Sequence, residues 1–119
     1  MQAKSYGESN LNFEGGKATK IIELAEITSL MTKSQKEKIF SGCDVKNLAK
    51  VFEDPTMMST VNCFLENGMN VAKTARAMYM HRNTLLYRLN AIRRQTGLDL
   101  KDFKMAVTFE ILHSLYAIK

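Results

Sequence analysis

Proline, tryptophan and cysteine are scarce in this sequence. Its 119 residues include one proline, two cysteines and no tryptophan. No apolar stretch approaches the roughly 20 residues that span a bilayer, and the start of the chain lacks the hydrophobic core of a signal peptide. Because 45% of the residues are apolar and 24% are charged, we expect a globular protein of the cytoplasm with no membrane partner. A disordered or collagenous chain is excluded.

Two cysteines and two histidines are the residues from which a disulfide framework or a zinc site would have to be built. Cys43 and Cys63 lie 20 positions apart without a CxxC pair, and neither His81 nor His113 completes a metal-binding spacing. We therefore predict no metal site, and we interpret both cysteines as buried thiols. No paired carboxylates, nucleophile with a base or glycine-rich phosphate loop stands out, so we expect neither an enzyme nor a cofactor.

Acidic residues are scarce in the second half of the chain. Residues 1–54 hold eight lysines and eight acids, whereas residues 55–119 hold nine basic and four acidic residues and carry the whole net charge of +5. From Asn70 to Arg94 there are six basic residues and no acid. Such a stretch favours binding to phosphate groups, although a solvated arginine-rich helix face is the simpler alternative.

The sequence of the first half predicts scaffold helices, with no residues that suggest catalysis or ligand binding. Residues 1–16 are polar, contain three glycines and show no apolar period, so we interpret them as a mobile leader. Residues 17–54 predict a helical stalk or dimerisation preface. Its parts are an apolar stripe from Ile21 to Met31 in a helix ending near Thr32, a charged helix from Ser34 to Phe40 that a left-handed Gly42 can end, and a helix capped by Asp44.

Capping signals divide the second half, residues 55–119, into further helices. Asp54 followed by Pro55 opens a helix, because proline at the first helical position loses an N–H that had no partner there. No strand-like alternation occurs, so the predicted fold class is all-α, a helical bundle. The helices that follow are Val71 to Met78 capped by Asn70, Arg82 to Thr96 ended by Gly97, and a largely apolar helix from about Asp102 to Ala117.

A short helix, a three-residue turn and a longer helix between residues 71 and 96 are the parts of a helix-turn-helix, whose second helix lies in the major groove of DNA. Ala75 is small enough to let the second helix cross closely, while Met78 and Met80 can fill the shared core. The turn often carries glycine. Here Tyr79 takes that place, so the backbone either avoids the left-handed conformation or is strained.

The second helix of this unit has two unlike faces. At about 100° per residue, Leu85, Leu89 and Ile92 fall on one side. The opposite side carries polar side chains: Asn83, Tyr87, Asn90 and Arg94. Asparagine can bond adenine, arginine can bond guanine, and tyrosine can bond phosphate or pack on a thymine methyl group.

These positions predict double-stranded DNA as the partner. The residues expected to read bases are Arg82, Asn83, Thr84 and Tyr87, with Asn90 as a further groove contact. The residues expected to hold phosphates are Lys73, Arg76, Arg93 and Arg94. Arg82 and Thr84 stand at the helix N-terminus, where the dipole and free N–H groups favour anions.

Four other side chains have simpler interpretations. Arg88 lies nearer the buried face than the polar face, so we expect it to make a structural hydrogen bond or salt bridge. His81 is interpreted as a helix cap, and His113 as an ordinary member of the last helix. Leu86 lies on the flank of the polar face, where it is either a groove contact or a packing residue.

Five short blocks also carry a family resemblance. They are the Asn67–Asn70 junction, the Thr74–Ala75 pair, the segments His81–Leu85 and Tyr87–Leu89, and Thr96–Leu100. Together they make the run from Met57 to Lys119 resemble the C-terminal helix-turn-helix domain of the PucR/CdaR group of bacterial transcriptional regulators, which is related to the Fis-type fold. The family commonly has a large residue in the turn, as at Tyr79. Leu86 departs from it, because many relatives have a polar or basic residue there.

The resemblance implies a transcription factor whose DNA-binding domain follows a sensory region that responds to a small metabolite. No such region fits into residues 1–54, so an effector would act through a domain missing from this sequence, or the chain is a short stand-alone member. Fis-like proteins pair through helices, which implies a homodimer. The candidate surfaces are the last helix and the stripe from Ile21 to Met31, with burial in the monomer as the alternative. A helical protein-interaction module that does not bind DNA remains the second functional hypothesis.

Overall fold

The protein is all-α in the part that the structure describes. The structure, a computed structural model, describes residues 19–118 and has seven helices and no strand there. The predicted fold class is therefore confirmed, whereas the predicted leader, residues 1–16, lies outside the described residues. The helices are α1 (Leu24–Thr28), α2 (Lys33–Phe40), α3 (Val45–Phe52), α4 (Pro55–Glu66), α5 (Val71–Ala77), α6 (Arg82–Thr96) and α7 (Phe103–Ile118).

The hydrophobic core lies where α3, α4 and α6 contact one another. Val61 and Phe64 of α4 are fully buried, as are Leu85 and Ile92 of α6. Burial of a side chain of this size stabilises the fold by roughly 1.5–3 kcal/mol. The last helix, α7, closes the core through Phe109, whose ring meets that of Phe52 edge to face at 5.2 Å. This packing fixes the position of α6, the helix predicted to meet DNA.

The capping residues predicted from the sequence stand at the helix ends. Asp54 Oδ1 accepts hydrogen bonds from the backbone N–H groups of Thr56 at 3.0 Å and Met57 at 3.2 Å, and Pro55 follows at the first helical position. Asp44 caps α3 in the same way. Helix α6 ends at Gly97, which adopts a left-handed φ of 81°. Each of these boundaries follows from local hydrogen bonding.

The first helix is much shorter in the structure than the sequence predicted. The apolar stripe from Ile21 to Met31 predicted one helix ending near Thr32, but α1 spans only Leu24–Thr28. Glu23 and Glu26 form a capping box that begins it, and the Thr28 hydroxyl donates back to the Leu24 carbonyl at 3.0 Å. Local side-chain bonds of this kind compete with further helical turns. Apolar residues of this stretch stay largely in solvent both inside and outside α1: Ile22 is 60% exposed, Ile27 50% and Leu30 85%.

Two further expectations for the first half need correction. Gly42 does not adopt the left-handed conformation, because α2 already ends in the right-handed Ser41, whose hydroxyl donates to the Lys38 carbonyl at 2.7 Å. Cys43 and Cys63 are free thiols, as predicted, but both are half-buried and not fully buried. Each thiol lies near a polar neighbour; Cys63 Sγ, for example, accepts a hydrogen bond from the Asn67 side-chain amide at 3.3 Å.

The last helix, α7, contacts both α1 and α3. Helix α1 packs against α7, where the hydroxyl groups of Thr28 and Ser114 lie 3.1 Å apart. The His113 ring lies 5.0 Å from the ring of Phe52, and burial lowers the pKa of this imidazole. The histidine therefore serves packing, as expected. Glu110 is also half-buried, and loss of solvent raises the pKa of its carboxyl group.

The turn between α5 and α6 is strained. Tyr79 adopts a φ of 53° and is 97% exposed. The backbone N–H of Met80 donates to the Ala75 carbonyl at 3.0 Å, which holds the turn closed. A left-handed conformation costs an ordinary L-residue roughly 1–2 kcal/mol. Of the two alternatives left open by the sequence, the strained backbone is the one observed.

Replacing Tyr79 by glycine should stabilise the protein, because glycine adopts the left-handed conformation without a Cβ clash. The gain should be below about 1 kcal/mol, since glycine also gains entropy in the unfolded chain. Urea denaturation measures the free energy of unfolding. Tyr79→Ala is the matched control, because it removes the same exposed ring and keeps the Cβ. Equal stabilities for the two variants would contradict strain at this residue.

Replacing Glu110 by glutamine should give a stability difference that depends on pH. The pKa of Glu110 is higher in the folded state than in the unfolded state. The wild-type protein should therefore lose stability as the pH rises from the ordinary carboxyl range through the folded pKa, and Glu110→Gln should not share this loss. Urea denaturation at acidic and at mildly alkaline pH measures the effect. A difference between variant and wild type that stays constant with pH would contradict it.

Candidate nucleic-acid interface

Helices α5 and α6 contact each other through small and buried residues of α5. Ala75 is 6% exposed and Thr74 is fully buried. The Thr74 hydroxyl donates to the Asn70 carbonyl at 2.7 Å, while Asn70 Oδ1 accepts the backbone N–H of Lys73 at 2.9 Å. The Thr74 hydroxyl is therefore satisfied within its own helix, and the flat surface at Ala75 lets α6 approach. A short helix, a tight turn and a longer helix are arranged as the sequence predicted.

His81 caps the N-terminus of α6. Its Nδ1 accepts the backbone N–H of Asn83 at 3.2 Å, and its carbonyl accepts the N–H of Thr84 at 3.0 Å. The interpretation of His81 as a cap is confirmed. Because these two N–H groups already have partners, they are not free for an anion, contrary to the simple picture of an open helix terminus. A phosphate here would instead meet the exposed side chains of Arg82 and Thr84.

The polar face of α6 points away from the core. Leu85, Leu89 and Ile92 are at most 1% exposed and set the buried side of the helix. The four predicted base-reading residues are all exposed: Arg82, Asn83, Thr84 and Tyr87. Asn90, the further groove contact, is half-buried. The structure thus brings the four main candidates onto one accessible end of the helix and places Asn90 closer to the protein.

The four predicted phosphate-binding residues are also in solvent: Lys73, Arg76, Arg93 and Arg94. Within residues 19–118 the only ion pair joins Lys20 and Glu26, at 3.3 Å. None of the four is therefore neutralised by a carboxylate of the described chain. Unpaired cations on adjacent helices create a positive potential that attracts a polyanion.

A stacking contact joins two of the predicted residues. The guanidinium carbon of Arg94 lies 5.8 Å from the centre of the Tyr87 ring, the range of a cation–π interaction. The ring itself is 65% exposed. Both residues lie on one predicted helix face, but the sequence did not predict their contact. Their spacing of seven positions is compatible with the contact, whereas the side-chain rotamers that create it leave no signal in the sequence.

Arg88 lies off the reading face, whereas Leu86 stays at its edge. Arg88 is half-buried, and its Nη1 donates to the hydroxyl of the fully buried Thr60 at 3.1 Å. This hydrogen bond ties α6 to α4 and confirms the structural role expected for Arg88. Leu86 is half-buried as well, which is compatible with either of its two interpretations.

Other kinds of site find little support in the described part of the chain. Among residues 19–118, no group of three or more histidine, cysteine, aspartate or glutamate side chains is arranged to hold a metal ion. In the same range no helix is long and apolar enough to cross a membrane. The exposed surface of α5 and α6 is thus the feature that remains to be explained.

Known proteins share this helix-turn-helix. Residues 57–112 match the family model of the PucR C-terminal helix-turn-helix domain. The chain is 29% identical over 80 residues to the purine catabolism regulatory protein of Bacillus subtilis, an alignment that covers 67% of this chain and 15% of that protein. It is 43% identical over 44 residues to the carbohydrate diacid regulator of Escherichia coli, covering 37% of this chain and 11% of that one.

A solved structure shares the fold as well. The crystal structure of a regulator of polyketide synthase expression from Bifidobacterium adolescentis superposes with a TM-score of 0.54 at 29% identity, covering 80% of this chain and 36% of that one. The chain thus spans only a small part of the curated relatives it matches. The matches agree with a role in the regulation of transcription, and the matched model is that of a helix-turn-helix domain and not of an enzyme. The helix-turn-helix of residues 57–112 belongs to the PucR C-terminal helix-turn-helix family.

Proposed function

We propose that this protein binds double-stranded DNA sequence-specifically through α6 and thereby regulates transcription from the cytoplasm. The observation that supports this most is the pairing of two features on one surface. The polar face of α6 is exposed opposite a fully buried stripe, and the basic residues around it have no carboxylate partner among residues 19–118. A surface of this kind can be neutralised by phosphates without first breaking ion pairs.

Base reading is assigned to the exposed end of α6. Its 15 residues make a rod about 22 Å long, and the helix diameter of about 10–12 Å suits the roughly 12 Å width of the major groove. Asn83 and Tyr87 lie one turn apart on the outward face, so they would meet neighbouring base pairs. Arg82 and Thr84 complete the reading set at the helix start. Asn90, being half-buried, would reach the groove only at its edge.

Phosphate binding is assigned to both helices of the motif. Lys73 and Arg76 on α5 would contact the backbone on one side of the groove, and Arg93 at the far end of α6 would contact it on the other. The stack on Tyr87 holds Arg94 against the reading face, so this arginine combines a phosphate contact with support of the tyrosine ring. Contacts of this kind fix the register of the helix but do not select a sequence.

The proposal includes a homodimer and an effector that acts through another domain. One helix-turn-helix covers a half-site, and two copies double the specific contacts. Helix α1 and α7, the two candidate dimer surfaces, contact each other within the chain. Burial in the monomer thus accounts for part of both. The exposed apolar side chains in α1 and just after it, such as Ile27 and Leu30, are the surface we assign to the second copy.

Variants of Asn83 and Lys73 should distinguish base recognition from phosphate binding. After selection of bound duplexes from random DNA, Asn83→Ala should lose about 1–3 kcal/mol at particular base pairs and relax the preference there. Lys73→Ala should weaken all duplexes alike and reduce the slope of log affinity against log salt by about one. Fluorescence anisotropy over a salt series measures both quantities.

The control for these variants is Lys38→Ala, which removes an exposed lysine of α2. It should leave both the preference and the salt slope nearly unchanged. Equal losses on every sequence for Asn83→Ala and Lys73→Ala would show that the reading face is assigned wrongly. Wild-type protein without any competition-resistant binding would contradict DNA binding itself and would favour the protein-interaction module.

An acidic residue in place of Leu30 should abolish the dimer. Leu30 is 85% exposed, so Leu30→Asp should leave the monomer fold intact while placing a charge into the proposed contact. Sedimentation velocity at tens of micromolar should give a dimer for the wild type and a monomer for the variant. Asn62→Asp, which adds the same charge at an exposed position of α4, should remain dimeric. A strictly monomeric wild type would refute the proposed interface.

A further inference from the structure

A groove with apolar walls lies between the end of α4, the start of α7 and α1. Its volume is about 610 Å³, within the range in which small ligands are bound. Among the described residues that line it, Glu110 is the only one with an ionisable side chain. The apolar walls of the groove include the side chains of Met69, Phe103 and Val107. Phe103 is 70% exposed, although it is a large aromatic residue.

The carboxyl group of Glu110 is incompletely satisfied in this groove. Its Oε2 atom is buried and has no hydrogen-bond partner among residues 19–118. A buried carboxylate oxygen without a donor costs free energy, and the cost is greater when the group is charged. Burial correspondingly raises the pKa of Glu110. The groove is therefore lined by one half-buried carboxyl group, whose Oε2 atom is enclosed and unpaired, and by apolar walls that remain partly in water.

We propose that the groove binds a small organic cation in which a primary ammonium group is joined to an apolar body. The ammonium would donate a hydrogen bond to the half-buried carboxyl group of Glu110 and neutralise its charge. The apolar body would lie against Phe103, Val107 and Met69 and remove their carbon atoms from water. A neutral alcohol of the same shape would donate only an uncharged, weaker hydrogen bond, and an anionic ligand would be repelled by the carboxylate. This site is separate from the outward face of α6, so its assignment does not depend on DNA binding.

The test compares an amine with its neutral counterpart on the whole chain. 2-Phenylethylamine and 2-phenylethanol have nearly the same shape and differ in the cationic group. The wild type should bind the amine about tenfold or more tightly than the alcohol, because the charged hydrogen bond forms in a partly desolvated place. Isothermal titration calorimetry gives both affinities, and the NMR signal of the Met69 methyl group reports whether the ligand occupies this groove.

Three variants distinguish the proposed contact from non-specific binding. Glu110→Gln keeps the size of the side chain and should lower the affinity for the amine to that for the alcohol, while the alcohol is bound as before. Glu37→Gln removes an exposed acid of α2 and should keep the preference for the amine. Phe103→Ala should weaken both ligands by a similar factor. Circular dichroism confirms that each variant is folded.

Two results would overturn the proposal. One is equal affinity of the wild type for amine and alcohol, including the absence of binding for both at millimolar concentration. The other is a preference for the amine that survives Glu110→Gln, because the cation would then be held elsewhere. Neither result would bear on DNA binding, which uses different residues.

Discussion

The burial of one side of α6 is the constraint on which the rest of the molecule depends. Leu85, Leu89 and Ile92 are at most 1% exposed, and removing any of them from the core would cost several kcal/mol. Turning the helix by a single residue would rotate it by about 100° and expose this stripe. The packing of α6 against α3, α4 and α5 therefore determines which side chains face solvent. The hydrogen bond from Arg88 to Thr60 fixes the flank of the helix.

The distribution of charge complements this packing. Nothing in the core requires the segment from Asn70 to Arg94 to lack acids, yet it carries six basic residues and none that is acidic. Mutual repulsion of unpaired cations opposes folding, so the arrangement costs stability in the isolated domain. A polyanion on this surface would offset that cost. The location of the net charge of +5 on the second half of the chain therefore supports DNA binding more than its size does.

Local signals in the sequence predicted the helix-turn-helix well. The caps at Asp54, Asn70 and His81 depend on hydrogen bonds within a few residues, and each is found where it was expected. The length of α1 was not predicted correctly. The apolar stripe indicated a long helix, whereas a capping box and the Thr28 hydroxyl limit α1 to Leu24–Thr28. The turn at Tyr79 shows that a turn closed by the hydrogen bond from Met80 to the Ala75 carbonyl can hold a left-handed backbone at a residue that disfavours it.

Features that arise from distant parts of the chain were not predictable from the sequence. The hydrogen bond between Arg88 and Thr60 spans 28 positions, and sequence periodicity predicted a structural hydrogen bond or salt bridge for Arg88 without indicating its partner. The contact of Arg94 with Tyr87 depends on rotamers. The groove at Glu110 is formed where α1, α4 and α7 come together, and no local sequence pattern predicts that contact.

The most direct measurement of the central claim is an NMR titration of the protein with a selected duplex. The side-chain amide and guanidinium signals on the outward face of α6 should shift first, above all those of Asn83 and Arg82, together with the backbone signals of α5. Signals of α2 and of the groove at Glu110 should stay in place. Shifts concentrated on α2 and α7, with Asn83 unperturbed, would contradict the account, because the duplex would then be bound by a surface other than α6.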